Sequence, residues 1–541
     1  MTFPAIARPY GTFRGGGFAI GLCLIVALKL WLVQTEEIYG SATEFDALWY
    51  LNAAKHWYWG SEYSWTAFAR PPAYPLFVAF VHLLGLPLRI GIEFMQMGGY
   101  LSLVAGLRKA GAPRAVCLLS YAVMVLHPGS FQQNNYTMAD SLYTAILPLA
   151  LGGLILTLLS ARIMHAIWTG IALALLWNTR EESLLIPMMF VVFFGVALLC
   201  RRSQTNSWRS AMLSWLKPAG AMLGILTFLV LAVDAANYHA FRSFSKSELT
   251  ASSFKAVYRA LLRIKPSRDQ RFVSVSTEAL DMAYKVSPTF AKLRPQFEGE
   301  LGHNWQVPAF TTLGVHEIGT PWFLWALRGM TANTQNLYQT PTSAKRFYRN
   351  AAREINRACD QGRIPSRYVL SSFVDPGAIK NIGYLPESFS RIAGLFLLRY
   401  ENTRAHDDAI LTESQRALYD EMTGRGAARN HPEGWSTTTE TFIGSYHRFL
   451  VVGLSLAGVV AASILAWRFR RLQINDPLNA VLILLAATIL LRVTLFTFLD
   501  ATWWIGGYER YLFPVAPLYS CFLILLIYQA SATWRRRGEA R

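Results

Sequence analysis

Ten apolar runs interrupt the chain, at 18–33, 90–107, 115–126, 141–160, 163–177, 184–200, 215–233, 449–467, 477–499 and 511–528. Several reach the roughly 17 to 25 residues that cross a bilayer core as helix. The pattern predicts about ten transmembrane helices. An eleventh run, at 71–87, lies between prolines. If it also crossed, the orientation of everything after it would invert, so it is expected to be a juxtamembrane or half-inserted hairpin on the outer side.

Charge supports that count. With Arg8 and Arg14 placed inside and the sides alternated, the clusters Arg108/Lys109/Arg114, Arg162, Arg201/Arg202/Arg209, Arg468/Arg470/Arg471 and 535–537 all fall on the cytoplasmic side. Short loops rich in Lys and Arg stay inside, so both termini are expected in the cytoplasm. The first run has the basic start and apolar core of a signal peptide, yet no small-x-small site follows Val33. A retained helix is the expectation.

The polar stretch 234–445 divides the apolar runs and is expected to be an extracytoplasmic, mainly α insert. Within it, Phe347, Ala351, Ile355 and Ala358 share one helical face and Gly362 supplies a stop. The layout is therefore 1–233, an N-terminal transmembrane module with a first outer loop at 34–89, then the insert, then 446–541, a C-terminal transmembrane module. Composition agrees: 541 residues, 53% hydrophobic, 16% charged and a net charge of +18 exclude a disordered chain or an ordinary soluble enzyme. One share of the excess positive charge is topological, on the cytoplasmic loops, and another sits on the insert; neither gives a reason to expect nucleic acid. Of five cysteines only Cys359 lies in the insert, so no disulfide framework or metal-type spacing can be built there.

Ionisable residues collect at the outer mouth rather than at mid-membrane. The first outer loop carries Glu44, Asp46, Tyr50, Lys55 and His56, with Asp46 and Tyr50 one helical turn apart, and then Arg70-Pro71-Pro72-Ala73-Tyr74-Pro75. The second presents Asn134, Asn135 and Asp140, the third Arg180, Glu181 and Glu182, and the last Asp500, Glu509 and Arg510. Such a rim suits a substrate with a lipid tail and a charged head. A carboxylate can receive a hydroxyl proton while Arg and Lys neutralise a departing phosphate. Arg492 lies about two turns inside the ninth run, where a lone charge is costly, and should reach an internal acid or a bound phosphate. His316-Glu317 lacks the second histidine of a zinc-protease helix. Asn135-Tyr136-Thr137 fits a glycosylation triplet.

The order Asp46-x-x-x-Tyr50, Arg70-Pro71-Pro72-x-Tyr74-Pro75, an acid after the third span, and Arg510-Tyr511-x-x-Pro514 before a late span resembles the GT-C superfamily of integral-membrane glycosyltransferases. The look is that of its protein mannosyltransferase-like and aminoarabinose transferase-like branch. The resemblance covers about 12–200 and 446–528 and does not touch the insert. It implies a multi-pass protein of the inner or plasma membrane that moves a sugar from a polyprenyl-phosphate donor to a glycan, lipid or protein acceptor. Transfer would occur on the extracytoplasmic face, with inversion.

By that resemblance Asp46 takes the place of the catalytic acid of the first loop, Arg70 of a donor-phosphate residue and Asp140 of the second-loop acid that positions acceptor or metal; read from their positions, Glu44 and Tyr50 would also position the acceptor. From charge and position, Arg510, Arg492 and Lys55 would join Arg70 in holding the donor phosphate, with His56, Arg180, Glu181 and Glu509 as further contacts. A divalent metal, if one is used, would sit on Asp46 and Asp140. Ala69 stands before Arg70 where the aminoarabinose branch has an acid. A lipid-linked glycan flippase and a non-catalytic envelope-polymer-binding protein are the alternatives the pattern leaves open.

Overall fold

The computed structural model describes residues 15–538 except 35, 40–43, 182–184, 206, 373, 375, 399–410, 426–440, 443 and 469–475. Arg8, Arg14, Glu182, Arg470 and Arg471, together with the side chain of Glu44, lie outside the described residues. The described chain is all-helical apart from one isolated bridge between Ile264 and Ser366.

The first half comprises α1 (Gly15–Val33), α2 (Glu44–Lys55), α3 (Ala73–Leu83), α4 (Leu88–Lys109), α5 (Arg114–Val125), α6 (Gly129–Gln133), α7 (Ala139–Ser160), α8 (Ile163–Trp177), α9 (Leu185–Thr205) and α10 (Trp208–Phe241). The middle carries α11 (Ser252–Arg263), α12 (Thr277–Val286), α13 (Pro288–Ala291), α14 (Arg294–Glu298), α15 (Glu300–Leu313), α16 (Thr320–Ala332), α17 (Pro341–Asp360), α18 (Leu385–Leu398) and α19 (Glu413–Thr423). The end adds α20 (Gly453–Arg468), α21 (Pro477–Thr502), α22 (Tyr508–Leu512) and α23 (Ala516–Gly538).

Each of the ten expected spans coincides with a helix. By length and composition, seven helical stretches among the described residues suffice to cross a membrane: those beginning at Gly16, Leu88, Arg114, Ala139, Trp208, Pro477 and Tyr508. The apolar parts of α8, α9 and α20 are shorter. At about 1.5 Å per residue, the 15 residues of α8 reach only ~22 Å, below the ~30 Å hydrocarbon core. Packing of α8 against α7 and α10 places it within the bundle all the same. The protein is thus an integral membrane protein built from a helical bundle. The 71–87 run forms α3, an 11-residue helix, followed by a turn into α4; at ~16 Å it is far too short to cross.

The bundle centres on α4 against α7. Their backbones meet closely because the contact is lined by glycine: a Cβ on Gly99 would lie 2.0 Å from the Ala145 carbonyl oxygen, and one on Gly152 would lie 2.5 Å from Ser102. Small residues permit such approach and the dispersion gain that follows. Helix α10 runs 34 residues, about 51 Å, and so carries the chain through Asp234 to Phe241 before the left-handed Arg242 ends it.

The insert has a core of its own, formed chiefly by α11, α12, α16 and α17. Helix α17 begins at a Thr340/Ser343 capping box with Pro341 in its first turn, buries Phe347, Ala351, Ile355 and Ala358, and is followed by Gly362 at φ +67°. Its charged face is solvated, with Arg346 and Arg349 exposed. A buried joint docks the insert on the first loop. Arg328 binds the Glu248 carboxylate and donates 2.8 Å to the Ala67 carbonyl, Tyr338 donates to Glu248, and Tyr63 stacks on Tyr338. The later helices α18 and α19 leave this core and bury Ile392, Tyr419 and Met422 in the membrane-side core.

One polar cluster inside the bundle was not foreseen. The Lys29 ammonium donates to the Ser130 hydroxyl and lies 3.5 Å from Glu93. Arg89 binds the same Glu93 carboxylate and donates 2.7 Å to Asn135 Oδ1. Asn134 donates 3.1 Å to Glu93, and Asn135 Nδ2 donates 2.6 Å to Glu36. Lys29, Arg89, Glu93, Asn134 and Asn135 are all buried. The Asn135 amide is therefore occupied, and the glycosylation triplet is structural in this fold.

Candidate functional site

The loops that alternation places on one side do meet at one end of the bundle. Tyr39 N–H donates 2.8 Å to the Asn135 carbonyl, and Ala73 N–H donates 3.0 Å to the Asn178 carbonyl. These contacts bring the first, second and third loops together, and α22 enters from the C-terminal module.

Helix α2 presents Asp46 and Tyr50 on one face, and the chain returns through the rigid Pro71-Pro72 turn so that Arg70 faces Asp46. Arg70 Nη2 donates 2.5 Å to Asp46 Oδ1, and Nη1 donates 3.3 Å to Glu181 Oε1. The guanidinium plane lies 4.3 Å from the ring centroid of Trp325, a residue of the insert. Its Nε, although buried, has no hydrogen-bond partner among the described residues. The backbone is fixed as well, since Tyr58 O–H donates 2.7 Å to the Arg70 carbonyl.

A second pair stands beside the first. Arg180 Nη1 donates 2.6 Å to Asp140 Oδ1, and its guanidinium lies 4.8 Å from the Tyr511 ring. Arg510 approaches the same ring at 4.7 Å. Its Nη2 donates 2.7 Å to the Tyr511 hydroxyl and its Nη1 points to Met138 Sδ at 3.5 Å. Among the described residues no carboxylate lies within ion-pair distance of Arg510, and its Nε is buried without a partner. Three guanidinium groups thus face three carboxylates, and Arg510 hydrogen-bonds only a thioether and a phenol while the charges of Asp140 and Asp46 act on it from farther off.

Burial would raise the Asp46 carboxyl, but the charges of Arg70, then Arg510 and Arg180, hold it below its ordinary range. For Tyr50, packed edge-on to Tyr74 at 4.9 Å, burial pushes the phenol up and keeps it neutral.

Several expected residues stand elsewhere. Lys55 pairs at 2.8 Å with Glu421 of α19, both about half exposed; at the far end of α2 it turns to solvent and not to the cluster. His56, next to it, is exposed. Arg492 is fully buried, and its Nε donates 2.6 Å to the Tyr511 carbonyl while its plane packs near the Tyr143 and Phe496 rings. Through that bond it supports the backbone of the cluster. Asp500 is bound by Arg391 of α18. Glu509 lies beside Arg510 on α22, half-buried.

Sequence reasoning missed the contribution of the insert. Trp325 walls the Arg70 side, and Lys246 donates 2.7 Å to the Arg180 carbonyl and 3.2 Å to that of Trp177. No motif marks either residue; only tertiary packing brings them there.

Asp46 and Asp140 are each neutralised by an arginine, and among the described residues no three His, Cys, Asp or Glu side chains gather as a metal site. No step below passes through a metal. Because Lys55 lies outside the cluster and exposed pairs contribute about 0–1 kcal/mol, Lys55→Ala is expected to keep membrane activity within about twofold of the parent. A steady-state rate measurement checks this.

No family model matches the chain, and no curated protein matches it. Among solved structures it is similar to ArnT from Cupriavidus metallidurans bound to undecaprenyl phosphate, with 12% identity over 96% of this chain and 78% of that one, at a TM-score of 0.33. The apo state of the same ArnT gives 11% identity over 90% and 77%, at 0.31. At these scores the residues of this chain, and not those of its neighbours, carry the functional reading.

Proposed function

We propose that the chain is a membrane glycosyltransferase that takes a sugar from a polyprenyl-phosphate donor and passes it to an acceptor hydroxyl on the extracytoplasmic face. The observation that carries this is the guanidinium group formed by Arg70, Arg180 and Arg510 at one end of an apolar bundle, with Arg510 hydrogen-bonded to Met138 and Tyr511 and to no carboxylate. A part-buried cation without a carboxylate hydrogen bond is stabilised by a ligand anion, and a lipid phosphate arriving from the bilayer is an anion that can reach it.

In the reaction the acceptor oxygen attacks the anomeric carbon as the bond from that carbon to the phosphate oxygen breaks. The bonding electron pair leaves on the phosphate, where Arg510 and Arg70 stabilise it. The hydroxyl proton passes to Asp46, and attack opposite the leaving group inverts the centre. Asp46 paired to Arg70 is a weak base. A phosphate that draws Arg70 onto itself removes that cation from the carboxylate and raises its basicity. Donor binding thereby prepares the base.

This coupling predicts two different acid limbs. For kcat/KM, which reports the free enzyme, the limb should fall below the ordinary carboxylate value of about 4, because Asp46 starts out depressed. For kcat the limb should sit higher. Identical limbs for the two parameters across pH 4 to 8 would contradict the coupling. The reaction itself is tested by supplying membranes with radiolabelled polyprenyl-phosphate sugars. Chain-dependent appearance of free lipid phosphate is the expected result, whereas movement of intact donor across the bilayer selects a flippase.

A further inference from the structure

The large apolar side chains that the described part of the insert exposes concentrate between 368 and 389. Tyr368 and Leu370 are 81% and 72% exposed, and Ile382, Tyr384 and Phe389 are exposed as well. A soluble domain seldom presents such a group to water, and an apolar patch of this kind marks a surface that something covers. Ion pairs gather its two halves. Arg367, next to Tyr368, donates 2.6 Å to one oxygen of Asp269, and Lys380 donates 2.5 Å to the other. Just beyond Asp269 in the chain, Arg271 donates 3.2 Å to the Ala501 carbonyl at the end of α21 and lies 3.6 Å over the Tyr384 ring. The strap from Asp269 to Arg271 therefore sets the patch at the end of a membrane helix.

Helix α18, which follows the patch, belongs to the insert by sequence but packs on the bundle. Its Arg391 binds Asp500 in the last turn of α21, Ile392 is buried in the membrane-side core, and the Phe396 ring lies 5.3 Å from that of Tyr519 in the first turn of α23. The helix thus runs from the insert onto the wall of the bundle. At about 1.5 Å per residue, Phe389 stands only ~10 Å along the axis from Phe396, and it precedes the Arg391–Asp500 pair by half a turn.

That level decides what covers the patch. A patch on the far crown of the insert would call for a protein, whereas this one lies where the bundle leaves the membrane. We propose that the stretch 368–389 rests in the headgroup region of the bilayer, with Leu370 and Phe389 against the acyl chains and Tyr368 and Tyr384 at the water boundary. Tyrosine is enriched at that boundary because its ring is apolar and its hydroxyl wet. The charge is of the matching sign: Lys380, itself 72% exposed, shares the Asp269 carboxylate with Arg367, which leaves a positive rim that anionic headgroups attract. The insert is accordingly a domain that leans on lipid as well as on the first loop, and this holds whether or not the chain transfers a sugar.

Depth-dependent quenching tests it on the full chain reconstituted in nanodiscs of phosphatidylethanolamine and phosphatidylglycerol. Leu370→Cys, Phe389→Cys and, on the solvated face of α17, Arg349→Cys are made singly in a Cys23→Ser background, since Cys23 is the native thiol that is exposed, and labelled with the fluorophore NBD. Lipids brominated on the acyl chain should quench the labels at 370 and 389 by about half, as for groups set about 5–10 Å into the headgroup–acyl boundary, and leave the label at 349 unchanged. An unaltered melting temperature shows that a variant is folded; if Phe389→Cys is not, Leu370→Cys carries the comparison. Equal quenching at all three positions, or none at 370 and 389, would overturn the proposal. So would blue-shifted emission at 370 and 389 without quenching, which would mean that a protein surface, a second copy included, covers the patch.

Discussion

Replacing Arg70 by alanine is expected to lower release of polyprenyl phosphate by about a hundred- to a thousandfold, the loss usual when one donor to a developing anion is removed. The geometry makes the residue hard to substitute. One guanidinium spans Asp46 at 2.5 Å and Glu181 at 3.3 Å while its face rests on Trp325, three contacts that a planar fork can make together and an ammonium cannot. Arg70→Lys should therefore recover only part of the rate although the charge is kept. Alanine also leaves two part-buried carboxylates facing each other without their cation. Asp46→Asn/Arg70→Ala, which removes one of them, should for that reason be better folded than Arg70→Ala alone while remaining inactive. Rates in membranes, set beside melting temperatures in detergent, separate the two effects. Full activity in Arg70→Ala would remove this residue from the site.

The second large effect concerns stability. Glu93→Ala should destabilise the protein by about 3–5 kcal/mol, as breaking a buried pair on one side does. Here the loss is compounded because two buried cations, Lys29 and Arg89, share that carboxylate and Asn134 also donates to it. Lys29→Met should cost less, since Arg89 stays paired with Glu93 and the methionine stem can occupy the place beside Phe131 that the ammonium now holds. Thermal unfolding followed by near-ultraviolet circular dichroism gives the ranking, Glu93→Ala the lowest. Because the cluster anchors Asn134 and Asn135 of the loop leading to Asp140, the same substitution should slow transfer even at temperatures where the variant is folded.

Much of the architecture could be read from hydropathy and loop charge, for a physical reason. A helix that meets lipid must be apolar along its length, and its flanking charges record which way it faces. Ten helices accordingly lie where ten runs do. The short α3 followed from the need to keep later basic loops on one side. The site was legible where chemistry is local to a motif: Asp46, Tyr50 and Arg70 occupy one loop, and Asp140, Arg180, Glu181 and Arg510 join them from others. Lys55 and His56 lie apart from this cluster, because their sequence distance from Asp46 says nothing about the turn of α2 that sends them to solvent. Arg492 shows the converse: its Nε is held by a backbone carbonyl and its plane lies near aromatic faces, contacts that no residue pattern announces. Trp325 and Lys246 enter from the insert through tertiary docking alone.

The central claim is that the lipid phosphate rests on the arginines at one end of the bundle. It is tested most directly by determining the structure of the full chain with a polyprenyl phosphate bound. The phosphate oxygens should lie within about 3 Å of guanidinium nitrogens of Arg70 and Arg510, with the Asp46 pair to Arg70 lengthened and the polyprenyl tail in the membrane. A phosphate bound instead at the basic loop of Arg108, Lys109 and Arg114, with Arg70 still closed on Asp46, would contradict the account.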